Sequence, residues 1–255
     1  MKNKDMNYRN YFDINHYNRS YRQKIKSHDL TSFQVQVKES DLLIQAPLLL
    51  QDKSLAALNF YRKILEDYIK KNPQFSITLK PYPADHSAHP MIREMIDAST
   101  VCRVGPMAAV AGCLSQYIAV SLLKETDEII VENGGDLYIK SPHIRKAIIY
   151  AGSSPLSNKI FLKIDSREKG VGLCTSSGTV GPSYSMGKAD AVTVISHSAA
   201  LADAAATAIG NIIQSKDNIE EGLKMAQTIT GLMGLVIIKD DKIQRQTEWF
   251  NLIPK

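Results

Sequence analysis

A chain of 255 residues with 44% hydrophobic content can bury a sizeable core, in one large domain or two intimately packed lobes. The formal net charge of +5 is mildly basic, with lysine and arginine scattered rather than striped. It favours a small phosphate-bearing ligand and falls far short of a nucleic-acid binder. No run approaches 18 apolar residues and residues 1–7 hold no apolar stretch, which argues against a membrane span and a signal peptide. Cys102, Cys113 and Cys174 lie in apolar surroundings without metal-ligand spacing, so buried, unpaired thiols in a reducing compartment, the cytoplasm, are expected.

In chain order, residues 1–20 are rich in Tyr, Asn and Arg without period and read as a flexible arm. Arg19, Arg22, Lys24 and Lys26 read as part of a solvated segment. Residues 32–37 and 42–46 form a β-like pair around Lys38-Glu39-Ser40-Asp41. Residues 54–71 place Leu55, Leu58, Tyr61, Ile64, Leu65 and Tyr68 at helical spacing, and Asn72-Pro73 stops them. Residues 75–79 read as a strand, 80–90 as a Pro-rich loop, 91–98 as a helix opened by Pro90, and 107–124 as a long apolar helix. Residues 128–132 and 137–140 flank a Gly-Gly turn. Further strands are expected at 147–151, 159–164, 172–175 and 191–196, and helices at 199–213 and 219–230. A hairpin, 235–239 with 242–247, turns over Asp240-Asp241. Strands mixed with helices without regular alternation indicate an α+β fold, with residues 21–255 as a single domain.

The segment Ala199 to Gly210 has one charge, Asp203, in an alanine-rich run that should be a buried helix. A buried carboxylate needs a pair, hydrogen bonds or a metal. Thr207 lies one turn on, on the same face. Together they offer two hard oxygens to a cation such as Mg²⁺. The alternative is that Asp203 bonds a backbone group or a basic residue and Thr207 back-bonds its own helix.

Gly134-Gly135-Asp136 can turn a hairpin, or let backbone amides approach an anion. Thr175-Ser176-Ser177-Gly178 offers hydroxyls and amides at a strand end, as a polar turn or a phosphate cradle. Lys188 can neutralise a phosphate and Asp190 can add an oxygen to Asp203, or the two can form a surface ion pair. His86 and His89, beside Asp85, read as a solvated loop rather than a metal pair. His197 and Ser198 precede the alanine-rich helix, with Ser198 as its expected cap.

The order of a Gly-Gly-Asp turn, a Thr-Ser-Ser-Gly loop, Val192-Thr193-Val194 and the Ala-Asp-Ala-x-x-Thr-Ala helix resembles the ApbE-like superfamily. Its best-known members are Mg²⁺-dependent flavin transferases (FAD:protein FMN transferases, once linked to thiamine biosynthesis). Val104-Gly105-Pro106-Met107-Ala108-Ala109 and Gly187-Lys188-Ala189-Asp190 resemble more closely a branch without an assigned activity. The resemblance implies an ApbE-like α+β fold of mixed sheets with packed helices. It implies a metal on Asp203 and Thr207, with a backbone carbonyl near Ala108 or Ala109 joining its shell. It also implies FAD or FMN near Gly134, Gly135, Asp136, Thr175, Ser176, Ser177, Gly178 and Lys188, and an acceptor protein. Where the flavin transferases carry His-x-x-Asp-Pro-x-Thr-Gly, this chain has Thr179 to Asp190 with neither His nor Asp-Pro. Two functions stay open: a flavin or nucleotidyl transferase, and a non-catalytic ligand-binding or structural protein on the same fold.

Overall fold

The computed structural model describes residue 22 and residues 29–180, 185–247 and 252–254; the expected arm, 1–20, lies outside them. Strands β1 (Thr31–Val37) and β2 (Ser40–Ala46) are followed by α1 (Gln51–Lys71), α2 (Gln74–Ile77) and α3 (Pro90–Cys102). A 3₁₀ turn, Pro106–Ala109, leads into α4 (Val110–Leu122). Then come β3 (Ile129–Asn133), β4 (Asp136–Lys140), β5 (Arg145–Ile148), β6 (Ile160–Ile164), β7 (Val171–Ser176) and β8 (Ala191–Ser196). The chain continues through α5 (Ala199–Ile212), α6 (Ile219–Gln227), β9 (Leu232–Lys239), β10 (Lys242–Thr247) and β11 (Leu252–Pro254).

Eight strands form one sheet in the order β1-β2-β3-β4-β7-β8-β9-β10, and β11-β6-β5 form a second. Every pairing is antiparallel. The centre of the large sheet is buried on both faces, while the edge strands β1 and β10 are largely exposed. Val192 and Val194 of β8 pack with Leu235 and Ile237 of β9 against the helices. Ala191, Ile195, Val236 and Ile238, the alternate residues, pack with Leu162 and Ile164 of the second sheet. The two-residue period sends successive side chains into different cores, which is why β8 is buried at all six positions.

Most elements expected from the sequence form, with shifted ends. The largest departure is residues 75–79. Its first three residues belong to the short helical turn α2, and Phe75 packs edge-to-face against Tyr68 at 5.0 Å and Tyr82 at 5.3 Å. A strand needs a paired edge; this segment instead plugs an aromatic gap beside α1. The long helix expected at 107–124 is split, because Pro106 starts a 3₁₀ turn before α4 begins. Arg22 is not solvated: it donates to Glu132 at 2.6 Å and to Asp41 at 2.9 Å, pinning the first described residue to β2 and β3.

Candidate functional site

The sequence motifs lie along α5 and the strand beneath it: Gly172 and Cys174 of β7 adjoin Ala199 at its start, and Ser176 adjoins Gly210 in its last turn. Ser198 caps that helix, accepting from the Leu201 amide at 3.1 Å and donating to Glu94 of α3 at 2.7 Å. Gln116 of α4 receives the Ala199 amide at 2.7 Å and donates to Glu94 at 2.9 Å. This cap network ties α3, α4 and α5 together. Glu94 and Gln116 carried no motif in the sequence, and their only local signal is a polar residue on an otherwise apolar helix face.

Asp203 is 9% exposed, on the face of α5 that meets α4. Its carboxylate accepts the Gly112 amide at 2.9 Å, and the Ala111 amide also points to it. Since α4 has no side-chain cap of its own, Asp203 supplies one from the neighbouring helix. The backbone bond that the alternative reading gave Asp203 is realised, while the Thr207 back-bond it also expected is not. Asp203 has no ion-pair partner among the described residues, and Thr207, half-buried one turn on, makes no side-chain hydrogen bond to its own helix or elsewhere among them. Burial pushes the Asp203 carboxyl up to about 7, against the lowering pull of the Gly112 and Ala111 amides.

Gly134 and Gly135, at φ of 68° and 107°, form the two-residue hairpin turn between β3 and β4. The Gly135 amide donates to Glu132 at 2.8 Å, so this amide is committed within the protein. Asp136 follows on β4 and accepts the Thr175 amide at 3.1 Å, which joins the Gly-Gly turn to the Thr-Ser-Ser-Gly loop. Asp136 is itself 9% exposed, and its carboxyl is held well above the usual range, first by burial and next by the charge of Asp203.

Strand alternation separates the members of the Thr-Ser-Ser-Gly loop. The Thr175 hydroxyl pairs with Thr193 at 2.9 Å, on the sheet face that packs against the second sheet, so only its backbone reaches Asp136. Cys174 lies on the helix-facing side, beside the Ala199 carbonyl at 3.4 Å. The Ser177 hydroxyl accepts the Thr179 and Val180 amides at 3.1 and 3.0 Å, and the Gly178 amide donates to Ala189 at 2.8 Å. Ser176 makes no side-chain hydrogen bond among the described residues and lies beside Gly210 of α5.

Lys188 is exposed and held by its own amide, which donates to Ile213 at 2.6 Å. Asp190 corrects the expectation of a second ligand beside Asp203. It is buried and engaged at the β9–β10 turn, accepting from the Asp240 amide at 2.6 Å and the Thr179 hydroxyl at 3.2 Å. His89 caps α3 through Nδ1, accepting from Met91 at 3.1 Å, and Asp85 serves Ser87 and Tyr68. The three cysteines are free and buried; Cys102 is pushed up to about 12 by burial and the Asp203 charge.

Asp203 and Thr207 suit a hard cation: a buried carboxylate without an ion-pair partner among the described residues, plus an uncommitted hydroxyl one turn on. Among the described residues no three His, Cys, Asp or Glu side chains form a complete metal set. Such a cation would therefore need backbone carbonyls, water or ligand oxygens, as Mg²⁺ commonly does. The Pro106–Ala109 turn packs against α5 and can supply a carbonyl.

This architecture is that of the ApbE-like class of α+β proteins. The structure matches the flavin transferase ApbE from Vibrio cholerae (H257G mutant) with a TM-score of 0.56 at 11% identity, covering 86% of this chain and 97% of that one. It matches the Pseudomonas stutzeri flavinyl transferase ApbE with a TM-score of 0.54 at 13% identity, covering 86% and 95%. The chain belongs to the family described as AbpE bacteria, whose model matches residues 22–230. Among its relatives are a UPF0280 protein of Methanosarcina acetivorans, 39% identical over 73% of this chain and 74% of that one, and one of Methanococcus vannielii, 39% identical over 82% and 87%.

Proposed function

We propose that this protein binds a divalent cation of the Mg²⁺ type together with a phosphorylated flavin-type ligand, FAD or FMN, and acts in flavin or nucleotidyl transfer to an acceptor protein, in the cytoplasm. The observation that carries the reading is Asp203, a buried carboxylate without a cationic partner, one helical turn from a free Thr207 hydroxyl. Its setting on a fold shared with flavin transferases supports the choice of ligand.

Asp203 and Thr207 would hold the cation, and the Gly134–Gly135 turn and residues 175–178 would border the ligand. Lys188, on the same loop and unpaired among the described residues, would meet a phosphate. A bound Mg²⁺ supplies charge neutralisation at a diphosphate. The Gly112 and Ala111 amides hold the Asp203 carboxylate in place, so it is positioned before any ligand arrives.

A second reading, ligand binding without transfer, is favoured by one observation: residues 179–190 contain no histidine where flavin transferases carry one. Calorimetric titration with FAD, with and without Mg²⁺, tests the shared part. Binding that requires Mg²⁺ is expected; equal binding in its absence contradicts the cation role. Incubating FAD, Mg²⁺ and a flavin-acceptor protein, followed by a fluorescent gel, separates the two readings. A fluorescent acceptor band supports transfer, and its absence with FAD bound supports binding alone.

A further inference from the structure

The Gly134–Gly135 turn is held by a chain of charged groups to which the ligand reading gives no role. Glu132 lies two residues before the turn, and its side chain and that of Arg22 are only 3% and 11% exposed. One Glu132 carboxylate oxygen accepts the Gly135 amide at 2.8 Å, and the other accepts Arg22 Nε at 2.6 Å. The same guanidinium reaches β2, donating to the Asp41 carboxylate at 2.9 Å and to the Asp41 carbonyl at 2.8 Å. Leu42 pairs with Asn133, so the start of β2 lies beside the end of β3. Arg22 therefore clasps the β1–β2 and β3–β4 hairpins at one end of the sheet. On its other side the turn meets the 175–178 loop: the Asp136 carboxylate accepts the Thr175 amide at 3.1 Å, and a Cβ on Gly135 would stand 3.8 Å from the Thr175 carbonyl oxygen. Gly134 borders open space. A Cβ there would meet nothing within 4 Å, and its amide has no acceptor among the described residues.

The two amides of the turn are thus divided. Glu132 takes the Gly135 amide, and the Gly134 amide is left to donate to an anion. A bare carboxylate beneath the turn would repel a phosphate, the more so out of water. The Arg22 guanidinium, hydrogen-bonded to Glu132, cancels that charge. We propose that Arg22 and Glu132 are positioning residues for a phosphorylated ligand. They hold Gly135 inward, leave the Gly134 amide as the turn's donor to a phosphate oxygen, and keep the ground beneath it neutral. This rests on the ligand reading above. It adds a backbone contact to the phosphate and an arginine that acts through Glu132 without touching the ligand.

The full chain, labelled with ¹⁵N-glycine, is titrated with FAD in the presence of Mg²⁺. Flavin fluorescence gives the affinity, and the glycine amide signals report on the turn. In the parent the Gly134 signal should move as FAD binds. Arg22→Ala should weaken FAD binding roughly tenfold or more, because it strands the Glu132 charge beneath the phosphate. Adding Glu132→Gln to Arg22→Ala should recover most of that loss, since glutamine keeps an oxygen for the Gly135 amide without the charge. A purely structural Arg22 would lower the melting temperature and leave the FAD affinity of the folded protein unchanged, and that result overturns the proposal. A Gly134 signal that stays in place while FAD binds overturns it too. Both results leave the ligand reading standing. If the parent takes no FAD at all, the ligand reading itself is wrong and the roles of Arg22 and Glu132 go with it. Should Arg22→Ala fail to fold, Glu132→Gln alone decides. It keeps the Gly135 bond and removes a negative charge, so FAD should bind at least as tightly as to the parent, and weaker binding overturns the proposal.

Discussion

Asp203→Asn is expected to stabilise the metal-free protein at pH 8 and to leave it nearly unchanged at pH 4. Burial raises the folded carboxyl to about 7, above its ordinary value of 3.8. For an acid shifted upward, the native state binds its proton more tightly than the unfolded chain does. Its contribution is then fully present below about pH 4 and is lost as the pH rises towards 7. Asparagine keeps an oxygen for the Gly112 amide and has no proton to lose, so the variant escapes that loss. The difference at pH 8 should be about 2–4 kcal/mol in favour of the variant. Adding Mg²⁺ at pH 8 should restore the parent and leave the variant where it is. Thermal melts of both proteins across this range check the sign. A variant less stable than the parent at pH 8 by about 1–3 kcal/mol would mean that Asp203 serves the fold as a charged hydrogen-bond acceptor.

Gly112→Ala should have the reverse sign from the ordinary glycine-to-alanine change in a helix. Within α4 alone, alanine would add up to about 1 kcal/mol of helix stability. Here a Cβ on residue 112 would stand 2.4 Å from the Ala199 carbonyl oxygen and 2.9 Å from the Asp203 Cβ. Both are too close, and the first belongs to backbone that cannot rotate aside. The helices must part, which stretches the bond from the Gly112 amide to Asp203 and loosens packing along the whole contact. A loss of about 2–4 kcal/mol is expected, or roughly 6–12 °C in melting temperature for a chain of this size, with weaker Mn²⁺ binding alongside. An unchanged or higher melting temperature would mean that α4 and α5 can part at Gly112 without losing their contact.

These two residues mark where the sequence was legible and where it was not. Asp203 stood out because it is the one charge in an alanine-rich run, and Ser198 because it sits where a cap belongs; Ser198 caps as read, and Asp203 takes the backbone bond its alternative reading gave it. The Gly134–Gly135 turn was equally plain, since two adjacent glycines between strands favour this hairpin. Gly112 was not legible. Its neighbours Ala199 and Asp203 are far away along the chain, and nothing local to Val110–Leu122 announces a helix crossing. Asp190 misled for a related reason: a lone acid before a strand gives no sign of which turn will claim it, and the β9–β10 turn did. Thr175 could have been placed on the far face by counting alternate residues from Cys174, but a loop motif hides the strand period that continues through it. Residues 75–79 were too short a run for composition to tell strand from helical turn, and the aromatic contacts of Phe75 decided.

The most direct test of the cation and flavin reading is a crystal of the full chain soaked with Mg²⁺ and FAD at pH 8. The account predicts density for a cation on the Asp203 carboxylate and the Thr207 hydroxyl, with the FAD diphosphate beside it and the Gly134–Gly135 turn and residues 175–178 bordering the ligand. A cation elsewhere, or FAD bound away from α5 with Asp203 still holding only the α4 amides, would contradict it.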